Sequence, residues 1–436
     1  MLKAGAATLD ITPPVGVRMA GFAGRTMPSL AVHDPLTARA LILDDGGRRA
    51  GLVVLDILYA TEDLVAQVRT AAESGAGISP EGLLIASTHT HSGPQDAGDE
   101  ATPQERAYWD SVPGKVIEVV SQAAANLQPA RLGAATGWCA VGINRREQVP
   151  GGRIELGRNH FGKFDTQLGV VRVDRADGAP LAAVMNYACH AVCLMEDSYL
   201  LTADYPGFAR YFLEEQLGGG TALFFNGACG DVNPREAAVG HGLASGGSFR
   251  IAGRAGAELA RESARVWQKV SPTDDVTLSF ARRTISLPTN HDRALRAAEK
   301  ALAEVERQTA QPAAETPPYV TWHSRPSVAR AKAALARVKE RGSGPIRCEI
   351  QAIKLGPIAL VGWPGEIFCE LGMDLKERSP FRPTYVIGYA NGTIGYVPTP
   401  EAFGEGGYEA ESAAHLANEA GLVLVEESSA LLSSLR

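Results

Sequence analysis

Apolar, strand-like runs alternate with helical patterns along this 436-residue chain, and five of the runs end in a polar cluster. Leu83-Leu84-Ile85-Ala86 leads into Ser87-Thr88-His89-Thr90-His91-Ser92-Gly93-Pro94. The run from Leu181 ends in His190, and the run from Ile358 ends in Glu366. The run from Ala222 leads to Asp231 and Asn233, and Tyr385-Val386-Ile387-Gly388 opens a Gly-rich loop holding Tyr396. Open α/β sheets place their functional crevice at the carboxyl ends of strands. The recurrence predicts an α/β fold with its chemistry at such ends, and it outweighs any one cluster.

Strands are expected at 38–44, 50–57, 83–86, 168–173 and 182–187, with helices at 62–72, 104–127 and 203–216. The segments 293–308 and 327–341 are rich in Ala, Glu, Lys and Arg at helical spacing. With the Pro/Thr-rich joint 312–318 between them, they read as an αα-hairpin inserted near 290–342, covering the core or a neighbouring subunit. Residues 348–355 and 358–361 read as a β-hairpin feeding Glu366. The expectation is one domain over 1–436, a central mixed sheet flanked by helices.

Bulk properties narrow the function. The net charge of −7 gives no nucleic-acid footprint, and no basic cluster suggests a membrane surface. No apolar stretch approaches the ~20 residues of a membrane span. The N-terminus turns polar too early for a signal peptide, so a cytoplasmic location is expected. Six cysteines form no Cys-x-x-Cys pair. They read as small buried hydrophobes in a reduced compartment, although Cys189 and Cys193 flank His190 and are candidate ligands.

The chain has nine histidines. Two histidines at i and i+2 in an extended segment point to the same side, the beginning of a transition-metal site. By residue type alone, His89, His91, His190 and Glu366 are the natural zinc ligands, since tyrosine is not a usual one.

Taken in order, these clusters resemble the catalytic domain of the neutral (non-lysosomal) ceramidase family. The resemblance rests on Gly5-Ala-Ala-Thr-Leu-Asp-Ile-Thr-Pro, His89-Thr-His-Ser-Gly-Pro, Ile143-Asn-Arg, His190, Gly230-Asp-Val-Asn-Pro, Pro364-Gly-Glu366 and the Tyr396–Tyr408 segment. It implies a zinc ion held by His89, His190, Glu366 and Tyr396. It places His91 beside the metal and Arg145 and Tyr408 along the substrate. Two departures stand out. Asn233 occupies the place of a serine to which the family assigns a catalytic role, and an amide is neither nucleophile nor proton shuttle. By the same resemblance, the chain is expected to lack the family's C-terminal β-sandwich-like domain.

The expected activity is zinc-dependent hydrolysis of an amide or related acyl bond, with metal-activated water as nucleophile. His91 is the expected proton shuttle, and Asn233 the expected oxyanion or substrate contact. Asp204 and Asp231 are expected to support the ligands from behind, and for Asp204 a helix N-cap is an equal alternative. The substrate is expected to be a small-molecule or lipid-like amide or ester other than ceramide. The alternatives are a metal-dependent esterase or lactonase on a soluble metabolite, or a non-catalytic zinc-binding relative.

Overall fold

The computed structural model describes every residue except 23, 24, 26, 97, 239–246 and 311–327. Its main sheet joins β1 (Lys3–Asp10), β3 (Thr37–Asp44), β4 (Arg49–Leu55), β5 (Leu83–Ser87), β6 (Gln128–Trp138), β9 (Gln167–Arg175), β10 (Pro180–Tyr187) and β12 (Thr221–Asn226). The order is β12-β10-β9-β6-β1-β3-β4-β5. Neighbours run antiparallel except β10 with β12 and β4 with β5, so the sheet is mixed. A second sheet holds β14 (Leu278–Leu287), β15 (Ile346–Leu355), β16 (Ile358–Gly362) and β18 (Thr384–Ile387), in that order. The predicted hairpin is β15–β16.

Three small pairings position side chains. The strands β7 (Gly142–Gln148), β8 (Ile154–Asn159) and β13 (Val232–Pro234) form one ribbon, β13-β7-β8. β17 (Glu366–Ile367) runs parallel to β19 (Tyr396–Val397), and β2 (Ala31–Val32) to β11 (Leu200–Leu201).

Period-2 alternation sorts the main sheet's side chains into separate cores. Leu41, Leu43, Leu52 and Val54 pack with Ile353, Leu355, Leu360 and Ile387 of the second sheet. Ala40, Ile42, Val53 and Ile85 pack instead with α1 (Glu62–Ala76) and α2 (Pro103–Ala125), through Val65, Val68, Val116 and Val120. Val170, Met185 and Phe224 pack with α3 (Asp204–Leu217) and α4 (Phe249–Trp267). At fixed helix starts, Thr61 caps α1, and Thr102 with Glu105 forms a capping box on α2.

The predicted αα-hairpin is α5 (His291–Ala310) packed on α6 (Val328–Arg341); the joint 312–318 and Ser327 lie outside the described residues. Arg293 of α5 donates to the Leu416 carbonyl and, over 2.8 Å, to Asn418 Oδ1. The hairpin therefore lies along the segment that precedes the last helix. The C-terminal part adds α7 (Cys369–Arg378), α8 (Pro400–Glu405) and α9 (Ala420–Ser433). Leu371, Leu375, Leu424 and Leu431 of α7 and α9 pack on the second sheet beside Ile350 and Val361.

Edge strands β12 and β5 of the main sheet come close, and Asn226 Nδ2 donates to the Thr88 carbonyl over 2.7 Å. That closure brings the ends of β5, β10 and β12 together beside the ends of β16 and β18. No helix among the described residues is long and apolar enough to cross a membrane.

Candidate active site

His89 and His190 follow strand ends, whereas Arg145, Asn233, Glu366 and Tyr396 sit in short paired strands. His89 follows β5, but not in the extended backbone that the His-x-His spacing suggests. Its φ is +57°, in the left-handed region. The strand ends at Ser87, and the kink at His89 swings the imidazoles together instead of a strand face doing so. His89 Nε2 and His91 Nε2 lie 3.1 Å apart. Tyr389, past the end of β18, also has a positive φ of +55°, and its ring stacks on His89 with centroids 4.0 Å apart. Such backbone costs about 1–3 kcal/mol per residue, and strain of this kind clusters at functional sites.

Glu366 and Tyr396 are direct register partners in the β17–β19 pair. Asn233 pairs with Ile143 in the ribbon, which sets Arg145 beside it. His190 follows β10, its backbone N–H bound to the Val232 carbonyl over 3.0 Å.

Hydrogen bonds decide the tautomers. His89 Nδ1 sits 3.0 Å from the Leu58 carbonyl and His190 Nδ1 2.7 Å from the Cys229 carbonyl. A carbonyl only accepts, so both Nδ1 atoms carry the proton and both Nε2 atoms present lone pairs. Those lone pairs face the same carboxylate oxygen, Glu366 Oε2, at 3.0 Å from His190 and 3.6 Å from His89. Acceptors facing acceptors at this distance repel unless a cation lies beside them, and Arg145 Nη1 reaches His190 Nε2 only at 3.4 Å. Burial pushes His190 down to about 4, which disfavours a proton as that cation. Burial would raise Glu366, and it takes positive charge at the two imidazole positions to hold the carboxylate well below its ordinary range, the same demand for a cation beside Oε2. His89, His91 and His190 form a group whose nitrogens could hold a metal ion.

Tyr396 lies beside Glu366. Its hydroxyl oxygen accepts from Arg145 Nη2 over 2.9 Å. Burial holds the phenol well above its usual value, while Arg145 pulls the other way. Arg145 is buried and also donates to Glu409 Oε1 over 2.8 Å and to Asn233 Oδ1 over 3.2 Å. Desolvation would lower the guanidinium, yet Tyr396 and Glu409 hold it well above its ordinary value. His91 is held well below its usual range by desolvation and by His89 and His190, so it rests neutral. Its Nδ1 is buried with no hydrogen-bond partner.

His91, Arg145, Asn233, Glu366 and Tyr396 line a cavity of about 320 Å³, together with Tyr408, Tyr59, Phe22, Leu58 and Met195. Tyr408 stands at its rim, half exposed, edge-on to Tyr396 at 5.7 Å. Through Phe22, Leu58 and Tyr59 the cavity opens into a groove of about 790 Å³ walled by Asp96, Glu100, Trp109 and Arg337. The αα-hairpin thus borders the approach to the site.

The two aspartates expected behind the ligands do something else. Asp204 accepts from the backbone N–H groups of Cys193, Leu194 and Tyr205, shaping the turn after His190 without touching an imidazole. Asp231 accepts from Asn144 Nδ2 and the Cys369 N–H. The histidines are oriented by carbonyls, a role that needs no particular side chain and leaves no mark in the sequence. All six cysteines are buried and free, and burial lifts the Cys189 and Cys193 thiols well above their usual value, which speaks against thiolate ligands. Sequence reasoning missed Tyr59, Tyr389 and Glu409. Tyr59 and Tyr389 also stand just past apolar runs, the signal that found the histidines.

Comparisons with known proteins bear on the family and the fold. The family model described as neutral/alkaline non-lysosomal ceramidase, N-terminal, matches residues 2–245. Neutral ceramidase B of Dictyostelium discoideum is 27% identical over 53% of this chain and 35% of its own length. Neutral ceramidase of Mycobacterium tuberculosis is 26% identical over 54% of this chain and 40% of its own length. These matches thus span well under half of the relatives' own length. The crystal structure of neutral ceramidase from Pseudomonas aeruginosa superposes with a TM-score of 0.75 at 19% identity, covering 100% of this chain and 74% of that one. With more than half of its length matched by the family model, and with that fold, this chain belongs to the neutral/alkaline non-lysosomal ceramidase family.

Proposed function

We propose that this chain is a zinc-dependent hydrolase of an amide or related acyl bond, with His89, His190, Glu366 and Tyr396 as the metal ligands. The observation that carries the reading is the pair of imidazole lone pairs aimed at one carboxylate oxygen. Nitrogen and oxygen donors of this kind suit zinc. When bound, zinc supplies Lewis acidity and lowers the pKa of a water from 15.7 to about 7.

The chain's own residues supply the rest. His91, neutral and with an unpartnered Nδ1, accepts the proton of the attacking water and passes it to the leaving nitrogen. Asn233, its Oδ1 engaged by Arg145, offers its NH₂ to the oxygen of the acyl group. Arg145 holds the Tyr396 oxygen in place and favours its ionised form. Tyr408 positions the substrate at the rim.

The named relatives point to ceramide. The cavity of about 320 Å³ lies at the small end of the usual range of about 300–1,000 Å³, and its adjoining groove carries charged walls. Together with Asn233, this favours an amide with a shorter or more polar substituent than a long-chain ceramide. Comparing hydrolysis of a short N-acyl amine with that of detergent-dispersed long-chain ceramide tests the preference. Faster turnover of the long-chain lipid would reverse it.

Protein purified without added metal should carry about one divalent ion per chain, zinc foremost. Elemental analysis reads this; no transition metal and no uptake on titration would refute the centre. Asn233→Ala should lower turnover by about 10²–10³, the usual cost of one oxyanion donor, at unchanged metal content. An unaltered rate would remove Asn233 from the machinery.

A further inference from the structure

Tyr59 ties down the half of Glu366 that faces away from the histidines. Its hydroxyl donates to Glu366 Oε1 over 2.5 Å, while Oε2 is the oxygen near His190 and His89. The ring tilts against His89 with centroids 5.1 Å apart and looks into both the cavity and the groove.

We propose that Tyr59 is a positioning residue that restricts Glu366 to one-oxygen ligation and so keeps a coordination position free for water or substrate. The proposal rests on the metal-centre reading above. A carboxylate can meet a metal through one oxygen or two, and a second oxygen would take the space a catalytic centre leaves open. A hydrogen bond to the far oxygen withholds it. Such outer contacts tune an ion without touching it. The short bond also stops the carboxylate from rotating about its last torsion, which is otherwise soft.

Cobalt(II) titration tests this, because its visible absorption weakens as the coordination number rises. Tyr59→Phe keeps the ring and removes the donor. At equal cobalt occupancy, its absorption should be several-fold weaker than that of the unaltered protein. Tyr59→Leu removes the ring as well and should weaken the bands to the same extent. Identical spectra in Tyr59→Phe and the unaltered protein would overturn the proposal. A change in Tyr59→Leu alone would also overturn it, since packing and not the hydroxyl would then be responsible. If the unaltered protein takes up no cobalt, the metal centre itself fails, and this role fails with it.

Discussion

His190→Ala is expected to empty the metal centre and abolish hydrolysis, whereas His91→Ala should keep the metal and lose about 10²–10⁴ in turnover. The asymmetry comes from the two imidazoles' partners. His190 presents its Nε2 to Glu366 Oε2 at 3.0 Å, with Nδ1 fixed on the Cys229 carbonyl. Removing it deletes a donor that no other side chain replaces. His91 touches only His89 through Nε2 and leaves Nδ1 unpartnered, the pattern of a group that moves a proton. Metal content and turnover of the two variants, measured side by side, decide the matter. If His91→Ala loses metal as readily as His190→Ala, His91 is a ligand and the residue-type assignment prevails over the one carrying Tyr396.

The largest effect on stability should come from the buried pair Asp56–Arg210, behind the histidine turn. Both side chains are buried, and Arg210 meets the carboxylate through two bonds of 2.8 and 2.7 Å. Asp56 Oδ1 also lies 3.2 Å from Thr88 Oγ1, one residue before His89. Arg210→Met leaves an unpaired buried carboxylate and should cost about 3–5 kcal/mol in chemical unfolding. Adding Asp56→Leu should recover much of that loss, since neither charge then remains. Burial would raise Asp56, but Arg210 holds it below its ordinary value. The pair's contribution is therefore present above the unfolded aspartate's pKa of about 3.9 and is lost as pH falls through the folded value. A loss well under 1 kcal/mol in Arg210→Met would contradict the account.

The sheet was legible because its strands are apolar runs bounded by turns, and the helices because their periodicity and caps are local. Strand order was not legible, since the closure that joins β5 to β12 depends on contacts far apart in sequence, such as Asn226 with Thr88. His89, His190 and Glu366 announced themselves by residue type and position. Tyr396 entered only through the family resemblance, because a phenol carries no metal signature until Arg145 is seen beside it. Asp204 misled because a carboxylate near a histidine in sequence can be spent on backbone amides. The left-handed turn at His89 was hidden because only the tertiary frame, with Tyr389 stacked on the ring, stabilises it.

Zinc titration of the metal-free protein, read as hydrolysis of a short N-acyl amine, tests the central claim most directly. The account predicts no hydrolysis without metal and a linear rise to about one equivalent, with no further gain beyond it. Hydrolysis that ignores zinc, or zinc bound at about one equivalent with no hydrolysis of any acyl bond, would contradict it.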